Sequence, residues 1–202
     1  MIVTFETASP VFLLVLAAAL TVAWRRGFPA MRILCLLVFL LYLAGVVAVT
    51  FFPFILESDF VEAMRRETHL VDGINVVPLK GLGMSGEVLR QAFLNLLLGI
   101  PFGLGMPFLR VPARRSLVYG AIFAFLIELI QLCVDFAYGF AYRTVDINDA
   151  LLNFTGVVIG IGLFSLTRWL YGRLRLSPAD VGTYLDSVLR PGAEFGPRTG
   201  GS

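Results

Sequence analysis

The sequence predicts an all-α membrane protein, a polytopic bundle of about five transmembrane helices. The chain is 58% hydrophobic and only 15% charged, outside the usual range of soluble domains. Five apolar runs fill most of its 202 residues, at about 10–24, 33–56, 91–109, 117–134 and 148–170. The second, fourth and fifth runs reach the roughly 17 to 25 residues that a spanning helix needs. A compact membrane bundle is therefore expected.

The first and third runs are less regular than the others. Only Glu6 precedes Pro10 and no basic residue does, so we expect the first run to be a retained span and not a secretory signal. The third run is interrupted by Pro101 and several glycines, which predicts either a simple kink or a break in the helix near its middle.

The loop charges predict the orientation. Segments 25–32 and 110–115 each hold three arginines and no acid, so we expect them to face the cytoplasm. Segment 57–90 holds six acids and four bases, and 135–149 is also acidic, so both are expected outside. The N-terminus is then outside and the C-terminus is cytoplasmic.

The outer segment predicts a short loop helix at 59–70, and an extended INVVPLK stretch after it. Ser85 is the expected N-cap of the third span. We expect one transmembrane domain at 1–176, with the motif-bearing core at about 40–170.

The C-terminal part of the chain follows this domain. Ser177 and Pro178 are typical of an N-cap and a first helical position. Segment 177–191 is predicted to be an amphipathic cytoplasmic helix whose apolar stripe lies on the inner leaflet. The glycine, proline and serine content of 192–202 predicts a disordered tail.

Polar residues recur at helical spacing inside the spans. Glu128 and Gln131 are three apart and share one helix face. Asp146, Asp149 and Asn153 follow at i, i+3 and i+7, again on one face. A buried carboxylate at membrane depth costs at least a few kcal/mol, so such residues are expected to have a partner or a function.

Three different spans place a polar residue at one depth. At 1.5 Å per residue, Asn95, Glu128 and Asn153 each lie roughly 7 to 11 Å below the predicted outer boundary. Amides of this kind also join helices in membranes without any other role, and that interpretation stays open for Asn95 and Asn153.

Arg143 is the basic residue nearest this polar face. We expect it to pair with Asp146, Asp149 or Glu128. One base among three acids would leave negative charge for a proton, a cation or a cationic ligand group to balance.

Four stretches of the chain, INVVPL, FLNLLLGIPFGLGMPFL, IELIQL and YRTVDINDALLNFTGVVIG, together resemble the VanZ-like family of bacterial membrane proteins. The matching positions are Asn75, Pro78, Asn95, Pro101, Gly103, Glu128, Gln131, Arg143, Asp146, Asp149, Asn153 and Gly156. The resemblance implies a multi-pass protein of the bacterial cell membrane with a role in the cell envelope. The family's namesake is associated with low-level resistance to the glycopeptide teicoplanin.

Two classes of function fit these residues. The first is a non-catalytic protein that binds a membrane lipid, a glycopeptide or another amphiphilic molecule at the outer leaflet. Its expected ligand-binding residues are Asn75, Asn95, Glu128, Gln131, Arg143, Asp146, Asp149 and Asn153. The second is an intramembrane enzyme that modifies an envelope lipid, with Glu128 or Asp149 as acid or base.

The sequence gives less support to sites that use histidine, cysteine, a metal or a cofactor, and to a nucleic-acid partner or a transporter. His69 is the only histidine and lies in a charged loop, where a solvated surface role is expected. Cys35 and Cys133 fall near opposite ends of their spans, so no disulfide is expected. Neither a cofactor nor a metal is indicated. The net charge of +2 comes from the inner arginines, so no nucleic-acid partner is expected. A transporter of this length would need a homo-oligomer to form a path.

Overall fold

The computed structural model describes residues 1–79, 85–174, 176 and 178–190. Within these ranges, five helices are long and apolar enough to cross a membrane, which confirms the predicted bundle. They are α1 (Phe5–Arg25), α2 (Ala30–Phe51), α4 (Gly86–Phe108), α5 (Ala113–Tyr138) and α6 (Ile147–Arg173), and α3 (Ser58–Glu67) is a short helix between spans two and three. Two further short helices, α7 (Pro178–Val181) and α8 (Thr183–Leu189), follow the last span.

The connecting segments divide between two ends of the bundle. Segments 52–79 and 139–146 lie at one end, called the α3 end below. The arginine-bearing turns after α1 and α4 lie at the other, called the arginine end, together with α7 and α8. Helices α1, α4 and α6 therefore run from the α3 end to the arginine end, and α2 and α5 run back.

Two short strand pairs tie the α3 end together. Strands β1 (Ile2–Val3) and β2 (Phe54–Ile55) pair antiparallel, which fastens the N-terminus to the segment after α2. Strands β3 (Ile74–Asn75) and β4 (Val145–Asp146) pair in parallel, with Asn75 opposite Asp146. The second pair confirms the extended conformation predicted after α3 for Ile74 and Asn75 only, because the chain bends and turns at residues 77–79.

The closest helix contact in the bundle joins α4 to α6. It uses the small-residue spacing of four glycines, Gly99, Gly103, Gly156 and Gly160. A Cβ atom added to Gly99 would collide with the carbonyl of Asn153, and one added to Gly160 with that of Ile100. Small residues of this kind allow backbones in a membrane to approach closely. Large apolar side chains such as Leu14, Val38 and Ile122 are exposed on the outer surfaces, where lipid would contact them.

The structure corrects the third span and shortens the second. Helix α4 is continuous through Pro101, so the predicted break is wrong. Proline removes one N–H from the helix, and the contact with α6 supports the turns on either side. Helix α2 ends at Phe51 because the residue before a proline favours the extended region, and Phe52 with ψ of 155° precedes Pro53. Ser85 caps α4 as predicted, with Oγ accepting from the N–H of Val88.

The C-terminal segment also differs from its prediction. In place of one helix at 177–191, α7 and α8 are separated at Gly182, whose φ of +82° ends the first helix. Tyr184 and Val188 are buried against Phe164 and Tyr171 of α6. Much of the apolar stripe therefore packs on the bundle, and the position of this segment at the inner leaflet stays a prediction. The predicted N-cap Ser177 and tail 192–202 lie outside the described residues.

Candidate ligand-binding site

A hydrogen-bonded unit fixes the start of α6 at the α3 end. Asp146 is the N-cap of α6, and its Oδ1 accepts from the N–H of Asn148 at 2.8 Å. The same oxygen accepts from Nδ2 of Asn75 at 2.9 Å. The N–H of Asp146 in turn donates to Oε2 of Glu128 at 3.0 Å. Three residues predicted to bind ligand thus contact one another and join β3, α5 and α6.

Two polar residues that the sequence analysis did not single out complete this end. Asn148 is buried, and its Oδ1 accepts from the N–H of Leu79 at 2.6 Å. Asp135 is fully buried, and its Oδ1 accepts from the N–H groups of Tyr142 and Arg143. Asp135 stands four residues before the left-handed Gly139 that ends α5. In the sequence, the position of Asp135 four residues before a glycine indicates that it lies in the last turn of a helix. As one acid of an acidic outer segment, Asp135 was not predicted to have this structural role.

Arg143 has a different partner from the predicted one. Its Nη2 donates to the carbonyl oxygen of Phe51 at 2.9 Å and to that of Pro53 at 3.2 Å. Across the described ranges it forms no salt bridge, so the predicted pairing with Asp146, Asp149 or Glu128 is wrong. The physical reason is that the end of α2 leaves carbonyl groups without helical donors, and a guanidinium satisfies them.

A cavity of about 880 Å³ lies between α2 and α4, toward the α3 end. Its polar lining includes Gln91, Asn95, Gln131, Arg143 and Asp149. The Nε2 of Gln91 donates to Oδ2 of Asp149 at 2.9 Å, which joins α4 to α6 across the cavity wall. Val49 and Leu94 also line it and are exposed, so the cavity opens to the outer surface of the bundle.

The eight predicted ligand-binding residues therefore divide into two sets. The set that lines the cavity comprises Asn95, Gln131, Arg143 and Asp149. The set that does not line it comprises Asn75, Glu128, Asp146 and Asn153. Glu128 is only 8% exposed and Asn153 only 1%, so neither side chain is open to a molecule in the cavity.

Two buried amide groups near the cavity have no hydrogen-bond partner among the described residues. They are Nδ2 of Asn95, a donor, and Oδ1 of Asn153, an acceptor. Gly99 lies one turn after Asn95 and packs on the carbonyl of Asn153, so the two amides lie at a similar level, in line with the predicted shared depth. An unsatisfied buried polar group costs about 1–3 kcal/mol.

The comparison with protein families concerns this same part of the chain. The family model described as VanZ/LLP1 matches residues 39–168, more than half of the chain. The chain belongs to the VanZ/LLP1 family. The match contains every residue of the site and leaves out α1, α7 and α8. No curated protein and no solved structure matches the chain.

Charges of both signs surround the site of this VanZ/LLP1 protein. Glu128 accepts the N–H of Asp146, and Asp149 follows Asp146 by three residues, so three acidic residues lie near the start of α6. At the mouth of the cavity, the Arg90 guanidinium contacts the Glu87 carboxylate at 3.3 Å on the exposed surface of α4. The site can therefore offer donors, acceptors and both charges to a polar group that enters from the lipid side.

Proposed function

We propose that this VanZ/LLP1 protein binds an amphiphilic molecule of the cell envelope in the cavity between α2 and α4, without changing it chemically. The observation that carries the proposal is a cavity of about 880 Å³, lined with amides and charged groups, in the surface of an otherwise apolar bundle. Ligand pockets commonly measure about 300–1,000 Å³. A molecule with a polar part and an apolar part fits a polar cavity that opens toward lipid.

We further propose that the α3 end faces outward. The turns at the arginine end carry the acid-free clusters, and such clusters favour the cytoplasmic side. The N-terminus is then outside, the C-terminus is cytoplasmic, and the cavity opens to the outer leaflet. A glycopeptide or a lipid-linked component of the cell wall could approach it there, in line with the resistance associated with the family's namesake.

The contacts of the carboxylates support binding over catalysis. Glu128 accepts the N–H of Asp146, and Asp149 accepts the side chain of Gln91, so both have a role in holding the site together. In a binding role the amides of Gln91, Asn95 and Gln131 would donate to and accept from the polar group of the ligand.

An intramembrane enzyme is the second candidate. The specific observation in its favour is the clustering of Glu128 and Asp149, because two neighbouring carboxylates can act as an acid and a base. Such an enzyme would modify an envelope lipid by proton transfer from these groups.

Native mass spectrometry of the protein taken from its own membrane tests the proposal. We compare the unchanged protein with Asp149→Asn, which neutralises the carboxylate in the cavity, and Asp59→Asn, which neutralises an exposed carboxylate on α3. A binding protein should lose its bound amphiphile in Asp149→Asn and keep it in Asp59→Asn. Equal amounts of bound amphiphile in all three proteins would contradict binding in this cavity.

Glu128→Gln separates binding from catalysis. The glutamine can still accept the N–H of Asp146, so the start of α6 should be kept. A binding protein should retain the same bound molecule in this variant. An enzyme that uses Glu128 should instead carry more of an unprocessed form of that molecule, and this result would favour the second candidate.

A further inference from the structure

A second cavity adjoins the first on the side of the arginine end. It measures about 360 Å³ and is lined almost wholly by apolar atoms of α2, α4 and α8, including Val38, Leu104 and Leu185. Tyr42 and Pro101 line both cavities, so the two meet between α2 and α4. The combined space is polar toward the α3 end and apolar toward the arginine end.

Tyr42 stands where the polar lining ends. Its hydroxyl donates to the carbonyl of Leu98 at 2.5 Å, which satisfies the polar group of both residues. Beyond this bond, Gly105 contributes no side chain, and the ring of Phe39 lies where its Cβ would be. Tyr42, Gly105 and Phe39 therefore offer no free hydrogen-bonding group to a molecule in the apolar cavity.

The dimensions fit one hydrocarbon chain. From Pro101 to Phe108 the apolar cavity extends about 10 Å along α4, at 1.5 Å per residue. A lipid chain in one leaflet spans about 15 Å, half the hydrocarbon thickness. The polar residues Gln91 and Asn95 lie five and nine residues into α4, about 7 to 14 Å from its start. From the level of Asn95, a chain of about 15 Å would end about ten residues farther along α4, near Gly105, so it would enter the apolar cavity without reaching its far end.

The charges at the mouth of the polar cavity are balanced. Its lining contains two acids, Glu87 and Asp149, and two bases, Arg90 and Arg143. An anionic headgroup would meet both carboxylates, and a cationic one would meet both guanidinium groups. Glu87 and Arg90 pair with each other, so Asp149 and Arg143 are the carboxylate and the guanidinium left to face a headgroup that has one positive and one negative charge.

We propose that the two cavities together hold one zwitterionic phospholipid, with its headgroup beside Asp149 and Arg143 and one acyl chain along α2 and α4 into the apolar cavity, as far as about Leu104. This inference rests on the proposed function and deepens it by naming the ligand class and the position of its chain.

Two variants of α2 test the position of the chain. Val38 lines the apolar cavity and is 60% exposed, so Val38→Trp should fill the cavity without disturbing buried packing. Leu41 is 53% exposed and lines neither cavity, so Leu41→Trp is the matched control. Both variants should melt at the temperature of the unchanged protein, which establishes that they are folded.

The experiment measures binding by native mass spectrometry after incubation with vesicles of equal phosphatidylethanolamine and phosphatidylglycerol. We expect the unchanged protein and Leu41→Trp to retain phosphatidylethanolamine. Val38→Trp should bind it roughly ten-fold more weakly, the loss of about two buried CH₂ groups. Preferential retention of phosphatidylglycerol would overturn the zwitterionic assignment.

The outcome for Asp149→Asn separates this inference from the proposed function. If Asp149→Asn weakens binding and Val38→Trp does not, the polar cavity binds an amphiphile but its chain does not follow α2 and α4, and the inference fails alone. If Asp149→Asn has no effect on any bound amphiphile, the proposed function fails and the inference fails with it.

Discussion

The two faces of α4 differ in how they meet their neighbours. Toward α6, Gly99 and Gly103 bring the helix into contact with the backbone of its neighbour. Toward α2, the same helix borders two cavities that meet at Pro101. Helices in lipid gain little from apolar burial, and their association depends on close backbone packing and polar contacts. The contrast indicates that the α4–α6 pair is the scaffold and that the α2 side is where a ligand can be accommodated.

The α2 side is held by a few identifiable contacts. Tyr42 bonds the backbone of α4 near the middle of the bundle. Arg143 bonds the carbonyls at the end of α2. At the arginine end, Leu185 of α8 lies against the apolar cavity. Because each contact is separate, each can be removed without disturbing the glycine interface.

The largest effect is expected from Gly160→Leu. Its new side chain would collide with the backbone of Ile100, which cannot move without separating α4 from α6. Overpacking of this kind typically costs about 1–3 kcal/mol, and a contact with backbone should reach the upper end. The measurement is the melting temperature of the purified protein in detergent.

Gly162→Leu is the control for this prediction. Gly162 lies on the same helix two residues later, and nothing stands within 4 Å of a Cβ added there. The melting temperature of Gly162→Leu should therefore differ from that of the unchanged protein by no more than a typical surface substitution causes. If both leucines lower the melting temperature equally, the loss comes from replacing a glycine within α6 and not from the contact with α4. That result would contradict the proposed difference between the two faces of α4.

Much of the scaffold side could be predicted from the sequence, because it depends on local spacing. The apolar runs located the five spans. The glycines that let α4 and α6 approach are also spaced four apart, which is a local pattern. Ser85 was identified as the cap of α4 from its position before the span. These features depend on residue type and helical period, which a single sequence contains.

The α2 side could be predicted less well, because its contacts join distant parts of the chain. Arg143 lies near three acids in sequence, but the fold brings it to the end of α2, about ninety positions away. There its guanidinium donates to free backbone carbonyls and not to a carboxylate. The positions of Glu128 and Asn153 along their spans predicted a common depth, but nothing local showed that both would be buried away from the cavity while Asp149 lines it. The ligand-binding role of all eight residues stays a prediction.

Arg143→Ala is expected to have the second largest effect. It removes charged hydrogen bonds to the carbonyls of Phe51 and Pro53, and such bonds contribute about 1.5–3 kcal/mol. The melting temperature should fall. Combined with Asp149→Asn, the two losses should add, because the side chains form no ion pair. A coupling of about 1 kcal/mol or more would contradict the carbonyl assignment and restore the ion pair.

Tyr42→Phe should have a smaller effect, about 0.5–1.5 kcal/mol, because it removes one neutral hydrogen bond between α2 and α4. The ring remains, so the shape of both cavities should be kept. The control is Tyr119→Phe, at a tyrosine 44% exposed on α5. Melting temperatures in detergent measure both variants. A loss no greater than that of Tyr119→Phe would mean that the hydroxyl does not help to hold α2 in place.

The smallest effect is expected from lowering the pH, which should weaken the contact between α8 and α6. Asp186 of α8 accepts the hydroxyl of Tyr171 at 2.6 Å and pairs with Arg190 at 2.8 Å, and these two contacts hold the pKa of Asp186 below its ordinary value. The stabilisation is therefore fully present above the unfolded pKa of about 3.9 and is lost as the pH falls through the lower folded value.

Backbone amide hydrogen exchange of residues 183–190, corrected for its intrinsic pH dependence, measures how firmly α8 is held against the bundle. Protection should be constant between about pH 5 and 8 and should decrease only at pH values below about 4. Asp186→Asn cannot ionise, so its protection should no longer change with acid. If the unchanged protein already loses protection at neutral pH, another group controls α8. If Asp186→Asn shows the same acid dependence, Asp186 does not control it, and the arginine end of the apolar cavity is closed by apolar packing alone.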